Sequence, residues 1–411
     1  MKCYLIGEKL IHSFSGQIHA LLGLYDYQLK PLSSEEFHLF MEKRDFDGLN
    51  ITIPYKRDVI KYLDFLSPEA RLCGAVNTVV NREGKLSGFN TDFLGLKGLF
   101  SHFAISPEGK KALILGSGGT SQTAFQVLKS LGAGEIYRVS RGEKEDCITY
   151  KEAAEKHGDA EILVNTTPCG MYPDNQGILV DLEQFSSLSA VVDVVYNPLK
   201  TRLVLEAEKR GIPSFGGLFM LISQAVYAAQ IFTGREDLLT EIPSLYEKVK
   251  KEKENIVLVG MPGSGKSTLG KALSEKLEKK FVDSDAEIEK EAGMTISEIF
   301  ETYGEGEFRR REKDVIARLS RENSLVIATG GGAPTFTENV ENLRQNGLLL
   351  FLDADPKTLV ATSDRPLSRT KEALFSLYKK RYQIYLDCAD VRIPISRERE
   401  ENLEKLQKVI Q

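Results

Sequence analysis

The chain carries two glycine turns of different kinds, and each sets up a different phosphate chemistry. Gly260-Met261-Pro262-Gly263-Ser264-Gly265-Lys266-Ser267 follows the apolar run 256–259 and opens a helical stretch through Thr268. A helix start offers free N–H groups and a partial positive charge, so Gly263, Ser264, Gly265, Lys266, Ser267 and Thr268 make a seat for ATP. Lys266 would reach the β and γ oxygens, and the Ser267 hydroxyl would ligate Mg2+. Asp283-Ser284-Asp285 closes the strand 281–282, at the strand end where ligands of such sheets bind. The other turn, Gly116-Ser117-Gly118-Gly119, follows apolar residues 112–115 and opens a helix from Thr120 without a lysine. That pattern suits the pyrophosphate of a dinucleotide. The next strand ends at Ser140-Arg141, where a fold selective for NAD places a carboxylate; Arg141 favours the 2′-phosphate of NADP.

Each turn needs a sheet behind it. From residue 2 to about 103, short strands alternate with helices, among them a helix over 55–63, which predicts an α/β sheet. A second alternating series begins at Lys111 and reads as a doubly wound, Rossmann-like nucleotide domain. The apolar helix 218–232 ends at Gly234, and the almost wholly charged stretch 246–254 marks the domain junction as a solvated helical linker. The expected domains are therefore a substrate-binding unit over 1–98 with 218–240, a dinucleotide unit over 99–217, a charged linker over 241–254, and a P-loop α/β domain with a parallel sheet over 255–411. In the last domain Thr295 and Glu298 form a capping box, and Leu403, Leu406 and Ile410 stand at helical spacing, so the tail helix packs on the core.

Composition bounds the function. A chain of 411 residues exceeds what one core organises, and 42% hydrophobic with 27% charged residues marks it as globular. The net charge of −5 is spread thinly, and no basic block points to nucleic acid. No apolar stretch reaches membrane-spanning length and no leader is visible, so membrane partners are not expected. Cys3, Cys73, Cys147, Cys169 and Cys388 are scattered singly, as reduced thiols of a cytoplasmic protein are.

From residue 3 to about 234 the chain resembles the shikimate dehydrogenase family. The resemblance rests on Ser13-Phe14-Ser15, Gly48-Leu49-Asn50-Ile51-Thr52-Ile53-Pro54-Tyr55-Lys56, Gly74-Ala75-Val76-Asn77-Thr78 and Gly88-Phe89-Asn90-Thr91-Asp92. It continues in Asn165-Thr166-Thr167-Pro168-Cys169-Gly170-Met171 and Gly217-Leu218-Phe219-Met220-Leu221-Ile222-Ser223-Gln224. Reducing a ring ketone needs a hydride on one side and a proton at the developing alkoxide, work that a Lys/Asp pair can do. The resemblance implies that Lys56 is the proton donor or acceptor and Asp92 its partner, that Ser13, Ser15, Thr52, Asn77, Tyr196 and Gln224 hydrogen-bond the substrate, and that Thr166 and Gly217 stand on the cofactor side. Read by position alone, Lys56 is also a solvated lysine after Pro54, and Asp92 the N-cap of a helix over 93–103. The family commonly reads Asn-Arg-Thr where this chain has Ser140-Arg141-Gly142, so one hydroxyl contact to the cofactor is missing and Lys144 is the compensating cation.

From Asn255 to about Ile395 the chain resembles shikimate kinase, on the P-loop, Asp283-Ser284-Asp285, Gly304-Glu305-Gly306-Glu307-Phe308-Arg309-Arg310, Thr329-Gly330-Gly331-Gly332-Ala333, Arg365-Pro366-Leu367 and Lys380-Arg381-Tyr382. The resemblance implies that Asp285 orients and deprotonates the acceptor hydroxyl and Asp283 holds Mg2+ through water. It further implies that Arg309 and Arg381 clamp the substrate carboxylate, Gly331 offers backbone, and Arg365 stabilises the moving phosphoryl group. Family members carry a longer lid than residues 357–364 provide, which predicts weaker exclusion of water. The two resemblances together imply a bifunctional enzyme that reduces 3-dehydroshikimate with NADPH and phosphorylates shikimate with ATP. The alternative is a shikimate or quinate dehydrogenase with an ATP-binding regulatory module.

Overall fold

Short runs of β-branched and aliphatic residues become the buried central strands, as in Lys111–Leu115, Ile162–Asn165, Asn255–Val259 and Leu325–Ala328, whereas the edge strand Asp26–Pro31 is polar and largely exposed. The structure, a computed structural model, describes residues 1–10, 14–359 and 370–410. Two compact units divide the chain, Met1–Val249 and Lys250–Gln411.

The first unit holds two sheets. One runs in the spatial order Asp26–Pro31, Lys2–Gly7, Gly48–Ile51, Thr78–Arg82, Lys85–Phe89, Phe65–Leu66. Lys2–Gly7 is parallel to both neighbours, whereas Thr78–Arg82 is antiparallel to both of its own. The other sheet is wholly parallel, in the order Ser214–Phe215, Ala190–Asp193, Ile162–Asn165, Lys111–Leu115, Glu135–Ser140, Cys147–Thr149. Its strand order reverses beside Lys111–Leu115, which leaves a crevice at the carboxyl ends of the strands. Gly116 to Gly119 stand there. Helix Thr91–His102 packs along helix Leu218–Thr233, and a Cβ on Gly95 would meet the Met220 carbonyl at 2.7 Å. That close approach lets Asp92 and Gln224 share one cleft.

Residues 55–63 do not form the expected α-helix. Only Asp58–Tyr62 winds, as a 3-10 turn. The Lys56 carbonyl accepts the Val76 N–H at 2.8 Å, which takes it out of helical bonding. The buried Tyr55 hydroxyl donates to the Leu32 carbonyl at 2.7 Å while its ring stacks on Phe37. Tertiary bonds thus override local propensity and fix the backbone beneath Lys56.

The charged stretch assigned to a linker is helix Ile242–Lys253, and it is not solvated all round. Ile242 and Val249 are buried, and the Tyr246 ring lies 5.3 Å from that of Phe219. One apolar stripe is enough to seat a helix whose other faces are charged.

The second unit has a parallel sheet in the order Lys280–Asp283, Leu325–Ala328, Asn255–Val259, Gly347–Ala354, Val391–Ile395. Helix Lys266–Leu277 and the tail helix Arg399–Ile410 cover one face through Leu269, Leu273, Leu403 and Leu406. The expected capping box forms, with the Thr295 hydroxyl accepting from Glu298 N. Gly304, at φ 80°, breaks the long helix Ile296–Leu319 into two.

Candidate active sites

In the first unit a cleft of about 490 Å³ opens between the two sheets. Lys56 enters it after strand Gly48–Ile51, and Asp92 enters from the first turn of helix Thr91–His102. Their side chains meet with Lys56 Nζ 2.6 Å from Asp92 Oδ2, both about a quarter exposed. Asp92 is not the cap of its helix. Asn90 is, its Oδ1 accepting the Phe93 N–H at 2.9 Å. Relieved of capping, the Asp92 carboxylate is available to the lysine. Ser15, Thr52, Asn77, Tyr196 and Gln224 line the same cleft with Thr120 and Gly217. Asn77 is buried, and its Oδ1 accepts the Thr91 N–H at 2.7 Å, so its amide nitrogen is the end that a ligand would meet. Burial raises the Tyr196 phenol above its ordinary value, so it stays a neutral donor.

The dinucleotide turn lies at the carboxyl end of Lys111–Leu115. Helix Gly119–Ser130 starts from Gly118 without a side-chain cap, and a Cβ on Gly118 or Gly119 would meet nothing within 4 Å. Open space therefore lies over unpaired helix N–H groups. Lys144 Nζ donates to Ser117 Oγ at 2.9 Å, and Arg141 is exposed at the end of the next strand. Thr166 is turned inward, its Oγ1 donating to the Leu115 carbonyl at 2.7 Å. The open helix start and Lys144 beside it fit the phosphates of a dinucleotide.

In the second unit a cleft of about 630 Å³ holds Gly263, Gly265, Lys266, Ser267, Thr268, Asp283 and Asp285, with Arg309, Gly331 and Arg381 across from them. Gly263 and Gly265 are left-handed, at φ 82° and 86°, which curls the loop. Lys266 Nζ donates to the carbonyls of Gly260 and Met261, each at 2.9 Å, so it is held before any phosphate arrives. Ser267 Oγ donates to Asp283 Oδ2 at 2.6 Å, while Asp283 Oδ1 accepts the Asp285 N–H at 3.0 Å. This hydroxyl and carboxylate are hard oxygen donors of the kind that Mg2+ takes alongside phosphate and water. Among the described residues no three His, Cys, Asp or Glu side chains cluster, so a cage made of protein alone is not what this set offers.

Across the cleft, Arg309 donates from Nε and one terminal nitrogen to Glu305 Oε1 at 3.2 and 3.1 Å, and from the other to Glu312 Oε2 at 2.8 Å. Glu312 is fully buried, and burial raises its carboxyl against the pull of Arg309 and Arg381. Arg381 donates to the Gly331 carbonyl at 3.1 Å, and the buried Tyr385 hydroxyl donates to the same oxygen at 2.6 Å.

The model of the shikimate dehydrogenase substrate binding domain matches residues 5–79, and that of shikimate kinase matches residues 262–411. A shikimate dehydrogenase (NADP(+)) of Clostridium perfringens is 35% identical over 269 residues, covering 60% of this chain and 97% of that protein. The chain belongs to the shikimate dehydrogenase family. Beyond the dehydrogenase part it carries a shikimate kinase domain, which makes it a bifunctional shikimate-pathway enzyme. Among solved structures, a chorismate mutase/shikimate 5-dehydrogenase fusion protein from Clostridium acetobutylicum is 35% identical, with a TM-score of 0.55 over 61% of this chain and 99% of that one. A Thermus thermophilus shikimate 5-dehydrogenase, solved in complex with NADP(H) and shikimate, is 31% identical, with a TM-score of 0.54 over 60% and 99%.

Of the residues expected in the dehydrogenase cleft, the structure gathers all but Ser13, which lies outside the described residues, as do Arg365 and positions 360–364 of the short lid in the kinase domain. Gly116, Ser117, Gly118 and Gly119 form the dinucleotide turn, Thr166 stands against Gly116, Arg141 follows strand Glu135–Ser140, and none of these lines the substrate cleft. Sequence reasoning missed Lys9 and Asn50 in that cleft, and Glu312 and Tyr385 in the kinase domain. A signal existed for the last two: Glu312 follows Arg309 by three residues and Tyr385 follows Arg381 by four, so each shares a helix face with its arginine.

Proposed function

We propose that the enzyme reduces 3-dehydroshikimate to shikimate with NADPH and then phosphorylates shikimate at its 3-hydroxyl with Mg-ATP. The observation that carries this reading is that each unit holds a glycine turn at a helix start and a cleft lined by titratable and hydrogen-bonding side chains. Bound NADPH supplies the hydride. Lys56 gives its proton to the oxygen that becomes the alkoxide, and Asp92, at 2.6 Å, holds the ammonium in place and stabilises its charge. Ser13, Ser15, Thr52, Asn77, Tyr196 and Gln224 orient the ring through neutral hydrogen bonds. Gly116 to Thr120, with Thr166 and Gly217, seat the dinucleotide, and Arg141 with Lys144 favours the 2′-phosphate.

In the kinase domain bound ATP supplies the phosphoryl group. Asp285 orients the acceptor hydroxyl and takes its proton, while Ser267 and Asp283, bonded to each other at 2.6 Å, would hold a magnesium ion that offsets phosphate charge. Lys266 and the loop N–H groups hold the phosphates, and Arg365 stabilises the charge on the transferring group. Arg309 and Arg381 receive the carboxylate beside Gly331.

Full-length enzyme given 3-dehydroshikimate, NADPH and Mg-ATP should yield shikimate 3-phosphate and NADP+. Lys56→Met should stop the sequence at the first step, and Asp285→Asn should let shikimate accumulate. Consumption of neither cofactor by the wild-type chain would sink the reading, and reduction without phosphoryl transfer would leave the kinase domain as a nucleotide sensor.

A further inference from the structure

The dehydrogenase cleft contains a second lysine that the proposed chemistry leaves unused. Lys9 follows strand Lys2–Gly7 by two residues, and it lines the cleft together with Leu10 and Ser15. Among the described residues, three charged side chains line that space, Lys9, Lys56 and Asp92. Lys56 is already neutralised by Asp92 at 2.6 Å, so that pair presents little net charge to an incoming anion. Lys9 makes no hydrogen bond or ion pair with any described residue, and it is exposed to the cleft solvent. Its neighbour Glu8 acts on the Tyr55 side and does not line the cleft. Leu10 is buried at the foot of the loop and pins the backbone from which Lys9 extends.

The substrate assigned above is an acid, and an acid entering this cleft gives up part of its hydration. The neutral donors Ser15, Thr52 and Gln224 can replace hydrogen bonds, but they supply no counter-charge. We propose that Lys9 is a specificity-determining residue that pairs with the carboxylate of the cyclic substrate, on a different element from the Lys56–Asp92 pair that serves the reacting oxygen. The inference rests on the proposed reduction of 3-dehydroshikimate. Because the two lysines serve different ends of the substrate, loss of Lys9 weakens binding equally in ground and transition states, which raises KM and spares kcat.

The test uses full-length enzyme, NADPH, and both 3-dehydroshikimate and its methyl ester. With the acid, Lys9→Met is expected to raise KM roughly three- to tenfold, the scale of one partly exposed ion pair, with kcat within about twofold. Lys9→Arg, which keeps the charge, is expected to restore most of the loss. The ester carries no charge, so wild type and Lys9→Met should share one KM for it, and KM for NADPH should not move. An unchanged KM for NADPH, with kcat for the ester within about twofold of wild type, reports that the dehydrogenase unit of the variant is folded. An unchanged KM for the acid in Lys9→Met overturns the inference, and so does an equal loss for acid and ester, which would make Lys9 a structural residue. Failure of the wild type to reduce the acid at all would instead refute the proposed reduction.

Discussion

Replacing Gly217 by alanine should disable one activity of the chain and spare the other. Gly217 caps helix Leu218–Thr233, and a methyl group on it would stand 2.5 Å from the Val194 carbonyl carbon and 3.1 Å from Val194 Cα. Carbon atoms rest at about 3.5 Å or more, so the overlap to be relieved is about 1 Å. Neither partner is a flexible side chain. Val194 directly follows the buried strand Ala190–Asp193, and the helix start is tied by the Gly217 N–H to the Val195 carbonyl at 2.9 Å. The helix must therefore give way, and it carries Met220, Leu221 and Gln224 into the cleft. Overpacking of this kind costs roughly 1–3 kcal/mol of stability, and a displacement of about 1 Å of positioning groups costs up to about a hundredfold in rate. The assay is NADPH oxidation dependent on 3-dehydroshikimate, run beside ATP consumption dependent on shikimate in the same sample. The expected outcome is a fall of roughly thirty- to a hundredfold in dehydrogenase kcat/KM with kinase activity within about twofold. Dehydrogenase activity retained within about threefold of wild type would refute the reasoning, because it would mean that the helix absorbs the methyl without moving its cleft residues.

Three further outcomes are expected. Tyr385→Phe removes one of two hydrogen bonds that hold the Gly331 carbonyl; at about 1 kcal/mol this should raise KM for shikimate roughly fivefold in the kinase assay and leave KM for ATP nearly unchanged. Arg141→Gln should raise KM for NADPH by about tenfold and leave the weaker use of NADH unaltered, checked by steady-state kinetics with both cofactors. Burial raises Asp193 from the ordinary 3.8 to about 6 in spite of bonds from Thr201, Val195 and Asn165. The folded state then binds more protons than the unfolded state between about pH 4 and 6, so this group's contribution falls as pH rises through that window, by roughly 3 kcal/mol in all. Urea unfolding of Asp193→Asn across that range should lack this decline, and an unchanged pH slope would show that the carboxyl is not the cause.

Local features were readable in the sequence because their physics is local. Each glycine turn, with the apolar strand before it and the helix after it, is a contiguous pattern, and the box formed by Thr295 and Glu298 is closed within four residues. Asn90, Thr91 and Asp92 can all cap a helix, and tertiary partners sort them: Asn90 is also held by the Ala75 carbonyl, Thr91 bonds Asn77 and Thr78, and Asp92 pairs with Lys56. The winding of residues 55–63 failed for the same reason, since the Lys56 carbonyl is claimed by Val76. Tyr385 and Glu312 had visible helical spacing, yet what they hold was hidden: the Gly331 oxygen lies 54 residues away from Tyr385. Lys9 gave no pattern at all, because a single lysine in a loop acquires meaning only from the cleft around it.

Helix Ile242–Lys253 bears on any attempt to separate the two activities on shorter polypeptides. Its residues Ile242 and Val249 are buried with the dehydrogenase core, and the carbonyls of Lys251, Glu252 and Glu254 each receive the Lys279 ammonium at 2.8 Å within the kinase unit. Both neighbours thus hold a stake in the stretch that its charge makes look dispensable. A polypeptide ending before Ile242 would bare greasy surface, one starting after Glu254 would strand a lysine without its acceptors, and the least damaging arrangement is to let the two pieces overlap by the whole helix.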